Sequence, residues 1–205
     1  MSGDPRARPL SEEDVDADPI RQFNAWLDEA RAADVPLPEA MTLATADASG
    51  RPSARMLLLK SAGPEGFAFF TGYESRKGRD LEENPCGAIV VYWHALGRQV
   101  RVEGPVRRLS PEDSDAYFET RPPRSRAAAA ASRQSEPIED RRQLEAELER
   151  LLAEHGDAVP RPPHWGGYVL QPETIELWQH REDRLHDRLR YRREGNRWIV
   201  ERLAP

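Results

Sequence analysis

The stretch that decides the fold is MTLATADASGRPSARMLLLK at residues 41–60, where apolar and polar residues alternate on both sides of a turn. Alternation with a period of two is typical of a strand, and Asp-Ala-Ser-Gly at residues 47–50 is typical of a turn. The stretch therefore predicts a hairpin of strands 41–46 and 53–60. Further strands are predicted at residues 67–71, 88–93 and 99–108. Five strands joined by short turns, with no crossover helix between most of them, indicate an antiparallel meander that closes toward a barrel.

Helical patterns precede and interrupt this sheet. Asp18 followed by Pro19 is a helix start, and apolar residues on one face extend that helix to about residue 33. Three more helices are predicted at residues 110–120, 126–132 and from about 137 to a stop at Gly156. Period-two patterns return at residues 167–170, 174–178, from 184 onward, and 198–202. We therefore predict one mainly β domain with helices, of the α+β class, over residues 18–205, preceded by a disordered arm at residues 1–17.

The composition excludes several classes of protein. With 205 residues the chain has the size of one or two domains. No apolar run approaches the ~20 residues that a membrane span needs, and the charged start lacks the apolar core of a signal peptide, which predicts a cytoplasmic protein. One cysteine, Cys86, forms neither an internal disulfide nor a thiolate cluster for a metal. The net charge of -6 argues against a general nucleic-acid binder.

Lysine is rare in this chain, whereas arginine is abundant. Of the 30 basic residues, only Lys60 and Lys77 are lysines. Lysine offers a compact, adjustable ammonium that a guanidinium does not replace, so both positions are candidates for function; the alternative is that two surface lysines persist by chance. The chain has no Gly-x-Gly-x-x-Gly, Walker, His-Glu-x-x-His or Gly-x-Ser-x-Gly motif, which leaves dinucleotide binding, NTPase and hydrolase functions with little support.

Four groups of cations and hydroxyls have the chemistry that holds a phosphate. They are Arg55 with Lys60; Ser75, Arg76 and Lys77; Tyr117, Arg121 and Ser125; and Arg184, His186 and Arg188. Strand 53–60 is apolar between Arg55 and Lys60, so we expect a buried centre with charges at the rims, or else an ordinary core strand with snorkelling ends. At Ser75 a strand gives way to a helix, whose free amides and two cations suit a dianion, although charged helix starts are common.

The third group lies at a helical corner. Two prolines prevent one helix from carrying all of it, so we expect Tyr117 and Arg121 at the end of one helix and Ser125 as the cap of the next. An ordinary corner between two helices is the alternative.

The fourth group has strand spacing. Alternation predicts Arg184, His186 and Arg188 on one face, where three cations repel one another unless an anion lies against them. A solvated basic strand is the alternative.

These groups belong to a longer series of short segments in a fixed order over about residues 18–205. The segments are Arg55 to Lys60, Thr71, Ser75-Arg76-Lys77, Gln99, Tyr117-x3-Arg121-x3-Ser125, Gln134-Ser135, Trp165-Gly166-Gly167, Trp178-Gln179, Arg184-Leu-His186-Asp-Arg188 and the ending Arg202-Leu-Ala-Pro205. In composition and order the series resembles the pyridoxamine 5'-phosphate oxidase family. The resemblance implies a split β-barrel homodimer that binds FMN at the interface between its subunits.

The resemblance also implies two sets of contacts. Those to FMN are Arg55, Met56, Leu57, Leu58, Lys60, Phe70, Thr71, Arg76, Lys77, Gln99, Gln134, Ser135, Trp178 and Arg188. Those to a phosphorylated B6 vitamer are Lys60, Tyr117, Arg121, Ser125, Arg184 and His186, of which Arg184 and His186 are the implied catalytic pair. The implied reaction converts pyridoxamine or pyridoxine 5'-phosphate to pyridoxal 5'-phosphate, with electrons passing through the flavin to O2 to give H2O2.

The chain departs from the family pattern at three places. Its arm has Arg6 and Arg8 but its first tyrosine is Tyr73, so the lid that covers the substrate in the family is not expected. His180-Arg181 replaces the usual Gly-Gly, which predicts a reshaped pocket and a strained backbone if a positive φ is needed there. Phe70 stands where tyrosine is common, which removes one hydroxyl.

Two other functions remain open. Residues 44–52, 131–136 and 183–191 also resemble flavin oxidases of phenazine biosynthesis, whose reduced tricyclic substrates carry no phosphate. Lys60 and Arg121 favour the B6 vitamer, because a substrate without phosphate does not need them. A split-barrel module that binds FMN or pyridoxal phosphate and catalyses nothing is the third hypothesis.

Overall fold

The hairpin predicted at residues 41–60 is part of an antiparallel sheet in the computed structural model, which describes residues 9–195 and 197–205. The strands of this part of the chain are β1 (Ala40–Ala46), β2 (Pro52–Leu58), β3 (Ser61–Gly63), β4 (Gly66–Gly72), β5 (Cys86–Trp93), β6 (Arg98–Arg108), β7 (Trp165–Leu170), β8 (Thr174–Gln179), β9 (Asp187–Glu194) and β10 (Arg197–Arg202). The helices are α1 (Pro19–Ala32), α2 (Arg76–Glu83), α3 (Pro111–Glu119), α4 (Pro123–Ala131) and α5 (Arg141–His155).

The long strand β6 joins two layers of the sheet. One layer has the order β10-β9-β8-β6-β5-β1-β2, and the other consists of β3, β4 and β7. Residues 98–103 of β6 pair with β8, whereas residues 106–108 pair with β7. Gly104 lies at the change of partner, where a Cβ would stand 2.0 Å from the carbonyl oxygen of Gln171. The sheet therefore curls into the predicted split β-barrel, with the split along β6.

The simple meander that the sequence predicted is wrong at β2 and β4. β4 pairs with β3 and also with β7, which comes much later in the chain. Both faces of β4 and β7 are buried, so the backbone N–H and C=O groups of these strands need hydrogen-bond partners within the fold. β2 pairs only with β1 among the described residues and lies at the edge of the sheet. Met56 and Leu58 on β2 are 63% and 41% exposed, so the predicted burial of this strand's centre is also wrong within one subunit.

Capping residues determine where several helices begin and end. Asp18 caps α1 by accepting a hydrogen bond from the backbone N–H of Ile20 at 2.8 Å. Ser110 caps α3 in the same way, and Gly156 ends α5 with a φ of 55°, as predicted. Among the helices of residues 9–195, none is long and apolar enough to cross a membrane.

Two helices begin at residues other than those predicted. α4 begins at Pro123, so Ser125 lies in its first turn and does not cap it. Proline preorganises this start, and the backbone N–H of Ser125 bonds to the carbonyl of Pro122. α5 begins at Arg141, behind the cap Asp140, and not near residue 137.

Residues 9–17 differ from the predicted disordered arm, because they pack on the strands β9 and β10. Leu10 is buried, and its backbone N–H donates to Oδ2 of Asp187 at 3.1 Å. Arg202 donates to the carbonyl oxygen of Leu10, and the hydroxyl of Tyr191 donates to that of Asp16 at 2.7 Å. We therefore propose a single domain that includes residues 9–17. The remainder of the predicted arm, with its two arginines, lies outside the described residues.

Replacing Phe23 by alanine should lower the free energy of unfolding by about 3–5 kcal/mol. Phe23 on α1 is fully buried, and its ring lies 5.0 Å from that of Phe67 and 5.9 Å from that of Trp93. Urea unfolding of both proteins measures the difference. Ile138→Ala is the control, because Ile138 is 59% exposed and its truncation should change stability by less than about 0.5 kcal/mol. Equal effects of the two changes would contradict this account of the core.

Candidate active site

A cavity of about 920 Å³ opens between β2, β4 and the helices α3 and α4. The predicted site residues that line it are Met56, Leu57, Leu58, Lys60, Phe70, Thr71, Tyr117, Arg121, Ser125 and Gln134. The cavity therefore brings together three of the four groups, or residues that contact them. No aspartate or glutamate is among the described lining residues, so the lining carries positive charge without a carboxylate to balance it.

Arg121 is a cation without an anionic partner. Its Nη1 atom is buried and has no hydrogen-bond partner among the described residues. Its guanidinium lies 4.6 Å from the centre of the Trp165 ring, and its burial lowers its pKa. A half-buried guanidinium of this kind can form charge-assisted hydrogen bonds with an anion, because it has already lost part of its hydration.

Stacked aromatic rings form one wall of the cavity. The rings of Phe70 and Tyr117 stack at 3.8 Å, and Trp165 stacks on Phe70 at 5.7 Å. Nζ of Lys60 lies 5.8 Å from the centre of the Tyr117 ring. The phenylalanine that replaces the usual family tyrosine thus packs on a predicted substrate contact, and the cavity offers a flat apolar surface beside its cations.

Ser125 contributes a hydroxyl but does not act as the predicted cap. Because it lies within the first turn of α4, its side chain is free to line the cavity. Pro123 has no N–H, and the N–H of Ser125 is bonded within the turn. The predicted contribution of backbone amides from this helix start is therefore smaller than expected.

A second cationic site, the Lys77 cluster, adjoins the cavity; it consists of Arg55, Arg76 and Lys77 with the hydroxyls around them. Nζ of Lys77 lies 3.0 Å from each of three oxygens, in the side chains of Thr71, Ser75 and Gln134. Burial and the neighbouring charge of Arg55 lower the pKa of Lys77 to about 8. The helix predicted after Ser75 is α2; Ser75 caps it, and Arg76 is exposed. Thr71 and Gln134 also line the cavity, so the two cationic sites are continuous.

The remaining candidates lie together on another part of the sheet. Gln99, Trp178 and Arg188 are neighbours across β6, β8 and β9. The His186 ring lies 4.6 Å from that of Trp178. Arg188 donates to Glu176 at 2.9 Å and to the carbonyl oxygen of Ala204. None of this second group lines the cavity of its own subunit.

The predicted strand from Arg184 onward is wrong, because β9 begins only at Asp187. Arg184 lies in a turn with a φ of 64°, so strand alternation does not place it on one face with His186 and Arg188. The strain predicted at His180-Arg181 is absent, since neither residue has a positive φ. In this turn the backbone N–H of Arg181 donates to Nδ1 of His186 at 3.0 Å.

Backbone strain identifies residues that the sequence patterns did not. The described residues other than glycine with a positive φ are Asp34, Leu37, Ser135 and Arg184. Leu37 lines the cavity, and the last two are predicted site residues. Such conformations cost roughly 1 kcal/mol or more and concentrate at functional sites. In the sequence, the only signal of an unusual backbone at Leu37 is the pair of prolines that flank it, Pro36 and Pro38. No role was predicted for Trp165, although it belongs to one of the segments that carry the resemblance.

Two family models match this chain. One, described as pyridoxamine 5'-phosphate oxidase, matches residues 27–154. The other, described as the pyridoxine 5'-phosphate oxidase C-terminal dimerisation region, matches residues 165–205. The chain belongs to the pyridoxamine 5'-phosphate oxidase family.

Relatives within the pyridoxamine 5'-phosphate oxidase family match nearly the whole chain. The pyridoxine/pyridoxamine 5'-phosphate oxidase of Herminiimonas arsenicoxydans is 53% identical over 197 residues, which are 96% of this chain and 93% of the relative. The protein of the same name from Rubrobacter xylanophilus is 56% identical over 199 residues, covering 96% of this chain and 91% of the relative.

Solved structures have the same fold. The structure of PhzG from Burkholderia lata 383, in complex with tetrahydrophenazine-1-carboxylic acid, is 38% identical with a TM-score of 0.92 and covers 98% of this chain and 100% of that one. An FMN binding protein related to pyridoxamine 5'-phosphate oxidase, from Nostoc punctiforme PCC 73102, is 20% identical with a TM-score of 0.75. It covers 93% of this chain and 100% of its own, and it supports the fold alone.

The family's dimerisation region contains most of the second group of candidates. Trp178, Arg184, His186 and Arg188 all fall within residues 165–205, and Gln99 is the neighbour of Trp178 on β6. Four predicted site residues that do not line the cavity of their own subunit therefore lie in the region that the family model describes as the dimerisation region.

Proposed function

We propose that this protein is an FMN-dependent oxidase that converts pyridoxamine or pyridoxine 5'-phosphate to pyridoxal 5'-phosphate, with O2 as acceptor and H2O2 as product. The observation that carries the proposal is the buried Nη1 of Arg121, which has no hydrogen-bond partner among residues 9–195 and 197–205, beside a cavity that no carboxylate of those residues lines. Relatives of 53–56% identity named pyridoxine/pyridoxamine 5'-phosphate oxidase support the same assignment. The cytoplasmic location stays a prediction.

The substrate phosphate is assigned to the part of the cavity that Lys60, Arg121, Tyr117 and Ser125 line. Lys60 and Arg121 supply charge there, and the hydroxyls of Tyr117 and Ser125 supply hydrogen bonds. A phosphate monoester carries nearly two negative charges near neutral pH, which two cations match. The stacked wall beside them is wide and flat enough to receive an aromatic ring, so the pyridine ring of the substrate is assigned to it.

The Lys77 cluster suits the phosphate of FMN. Its three cations exceed its carboxylates, and Thr71 connects it to the cavity, so one elongated site accommodates both phosphate groups. The exposed apolar side chains of Met56 and Leu58 on β2, with the half-buried Leu57 between them, suit the flavin ring. When bound, FMN takes up the two electrons of the substrate and passes them to O2. The protein's own residues bind and orient the reactants and exclude water from them.

The second group of candidates is assigned to the site of the partner subunit. The protein is a homodimer with FMN at the interface, and Arg184 and His186 of one subunit face the cavity of the other. Because Nδ1 of His186 accepts a hydrogen bond from the N–H of Arg181, the proton of the neutral ring resides on Nε2. Nε2–H is then the donor available to orient the substrate, while Arg184 covers the reacting face.

A phenazine-type oxidase is the second candidate, and the similarity to PhzG favours it. That similarity is 38% identity, against 53–56% for the oxidases of B6 vitamers. A reduced phenazine offers no phosphate to the two cations of the cavity, so Arg121, with its buried Nη1, favours the phosphorylated vitamer. A module that binds FMN without turnover is the third candidate.

One assay separates these functions. The purified protein is examined for flavin absorbance, and peroxide is measured with pyridoxamine and pyridoxine 5'-phosphates, with their unphosphorylated forms and with a dihydrophenazine. We expect a yellow protein that produces peroxide from the phosphorylated vitamers far faster than from the others. Turnover of the dihydrophenazine alone would select the phenazine-type function, and bound flavin without any turnover would select the third candidate.

Replacing Arg184 by alanine should lower kcat by roughly a hundredfold while changing the affinity for FMN by less than about twofold. Its side chain is exposed and does not line the cavity of its own subunit, so it is available to the partner's cavity. Steady-state rates and flavin release measure the two effects. Arg184→Asn is the matched variant, because asparagine tolerates the left-handed conformation, and it should show the same loss. Loss of flavin with normal turnover of the remaining holoenzyme would refute this role.

A further inference from the structure

Among the described residues, one carboxylate, that of Asp80, interacts electrostatically with Arg55 and Lys77 of the Lys77 cluster. Asp80 lies on α2, about one turn after Lys77, and is only 6% exposed. Its carboxylate faces Arg55, which lies on β2, and its Oδ2 lies 3.7 Å from Nη2 of the Arg55 guanidinium. Asp80 is not among the residues that the family resemblance implies. A buried carboxylate beside an anion site repels the anion. Its presence there therefore indicates that it has another role in the site.

A directed chain of hydrogen bonds connects Asp80 to Arg55. The hydroxyl of Thr45 donates to Oδ2 of Asp80 at 2.6 Å, and Nη1 of Arg55 donates to the oxygen of Thr45 at 2.7 Å. Because an ionised carboxylate only accepts, the hydroxyl hydrogen of Thr45 must point toward it, which leaves the oxygen lone pairs for Arg55. Nη2 of Arg55 also donates to Ser53 at 2.6 Å. The guanidinium is therefore fixed before any ligand arrives.

The charge of Asp80 also affects Lys77. The contacts of Lys77 from β4 and from the segment after α4 are the uncharged Thr71 and Gln134. The charged groups that act on Lys77 are Arg55 from β2 and Asp80 from α2. Burial and Arg55 lower the pKa of Lys77 to about 8, and Asp80 raises it. Without Asp80, a larger fraction of Lys77 would therefore be neutral near neutral pH.

We propose that Asp80 is a positioning residue for the cofactor phosphate: through the hydroxyl of Thr45 it fixes the guanidinium of Arg55 before the phosphate binds. This inference rests on the proposed binding of FMN. The cluster retains more cations than carboxylates, so a phosphate dianion still gains from binding. Asp80 thus orients one cation of the site and leaves the site with a net positive charge.

The test is the affinity of Asp80→Asn for FMN between about pH 6 and 9. Holoprotein is diluted, and the fluorescence of released FMN gives the dissociation constant of variant and wild type at each pH. The ratio of the two constants should be about threefold or more, because Arg55 is no longer held in place, and it should rise with pH, because loss of Asp80 also lowers the pKa of Lys77. The titration of the phosphate itself cancels in this ratio. A ratio that stays near one at every pH overturns the proposal.

Two further variants separate the parts of this role. Thr45→Val keeps the carboxylate but breaks the hydrogen-bond chain, so it should weaken FMN by about threefold at every pH. Glu82→Gln removes an exposed carboxylate of the same helix, one that pairs with Arg108, and should leave the affinity unchanged. If Asp80→Asn does not fold, an unchanged affinity of Thr45→Val overturns the proposal. A wild-type protein that binds no FMN refutes the proposed function, whereas normal binding by Asp80→Asn refutes only this inference.

Discussion

Replacing Arg121 by methionine should lower kcat/KM for pyridoxamine 5'-phosphate roughly 30-fold to 1,000-fold. This factor corresponds to a loss of about 2–4 kcal/mol in the free energy of binding the substrate phosphate. The loss should appear mainly in KM, because the phosphate keeps the same contacts in the ground state and in the transition state. The same change should leave the unfolding temperature unchanged or raise it. Nη1 of Arg121 is buried without a partner, so a methionine of similar length removes an uncompensated polar group and retains the contact with Trp165.

Opposite signs for activity and stability are what distinguish a binding residue from a structural one here. Steady-state kinetics with pyridoxamine 5'-phosphate and with unphosphorylated pyridoxamine, together with thermal unfolding, supply the measurements. The slow reaction of pyridoxamine should be nearly unaffected, since it has no phosphate to lose. Arg124→Met is the control, because Arg124 pairs with Glu149 on the surface and should change neither quantity. A fall in unfolding temperature, or equal losses with both substrates, would show that Arg121 serves the fold.

Local chemistry made much of this fold predictable. The pair Asp18-Pro19 fixed the start of α1, and the turn at residues 47–50 fixed the first hairpin, because capping and turn geometry depend on neighbouring residues alone. The pairing of β4 with β7 was not predictable in this way. It depends on where a long chain finds a partner for a strand buried on both faces, and the spacing of apolar residues along β4 does not contain that information.

The site was predictable as a set of residues but not as an arrangement. Family segments supplied Lys60, Arg121 and Lys77, and the structure brings these into one continuous region. Alternation misplaced Arg184, because a single residue with a positive φ ends the strand pattern and nothing in an arginine signals that conformation. The sequence did not identify Asp80, because a single acidic residue on a charged helix is common. Its role depends on the hydrogen bond from Thr45 on β1, which only the structure shows.

The largest expected effect concerns the sharing of each site by two subunits. A variant with Lys60 and Arg121 both changed to methionine lacks the cavity cations, and a variant with Arg184 and His186 both changed to alanine lacks the second group. Each homodimer should be nearly inactive. When the two are unfolded and refolded together with FMN, half of the dimers are hybrids. If the second group serves the partner's cavity, each hybrid contains one intact site and one with all four changes, so about a quarter of the wild-type sites are restored.

This recovery follows from the position of the second group. No residue of the turn with Arg184 and His186 lines the cavity of its own subunit in the described chain, and the turn lies within the dimerisation region of the family. If instead each subunit built its whole site alone, every site in the mixture would carry one pair of changes, and no activity would return. Mixing Lys60→Met with Arg121→Met is the matched control, because both residues belong to one cavity and the hybrids contain no intact site. Recovery of oxidase activity in the first mixture but not in the second would therefore establish that two subunits build each site. The absence of activity in both mixtures would contradict it.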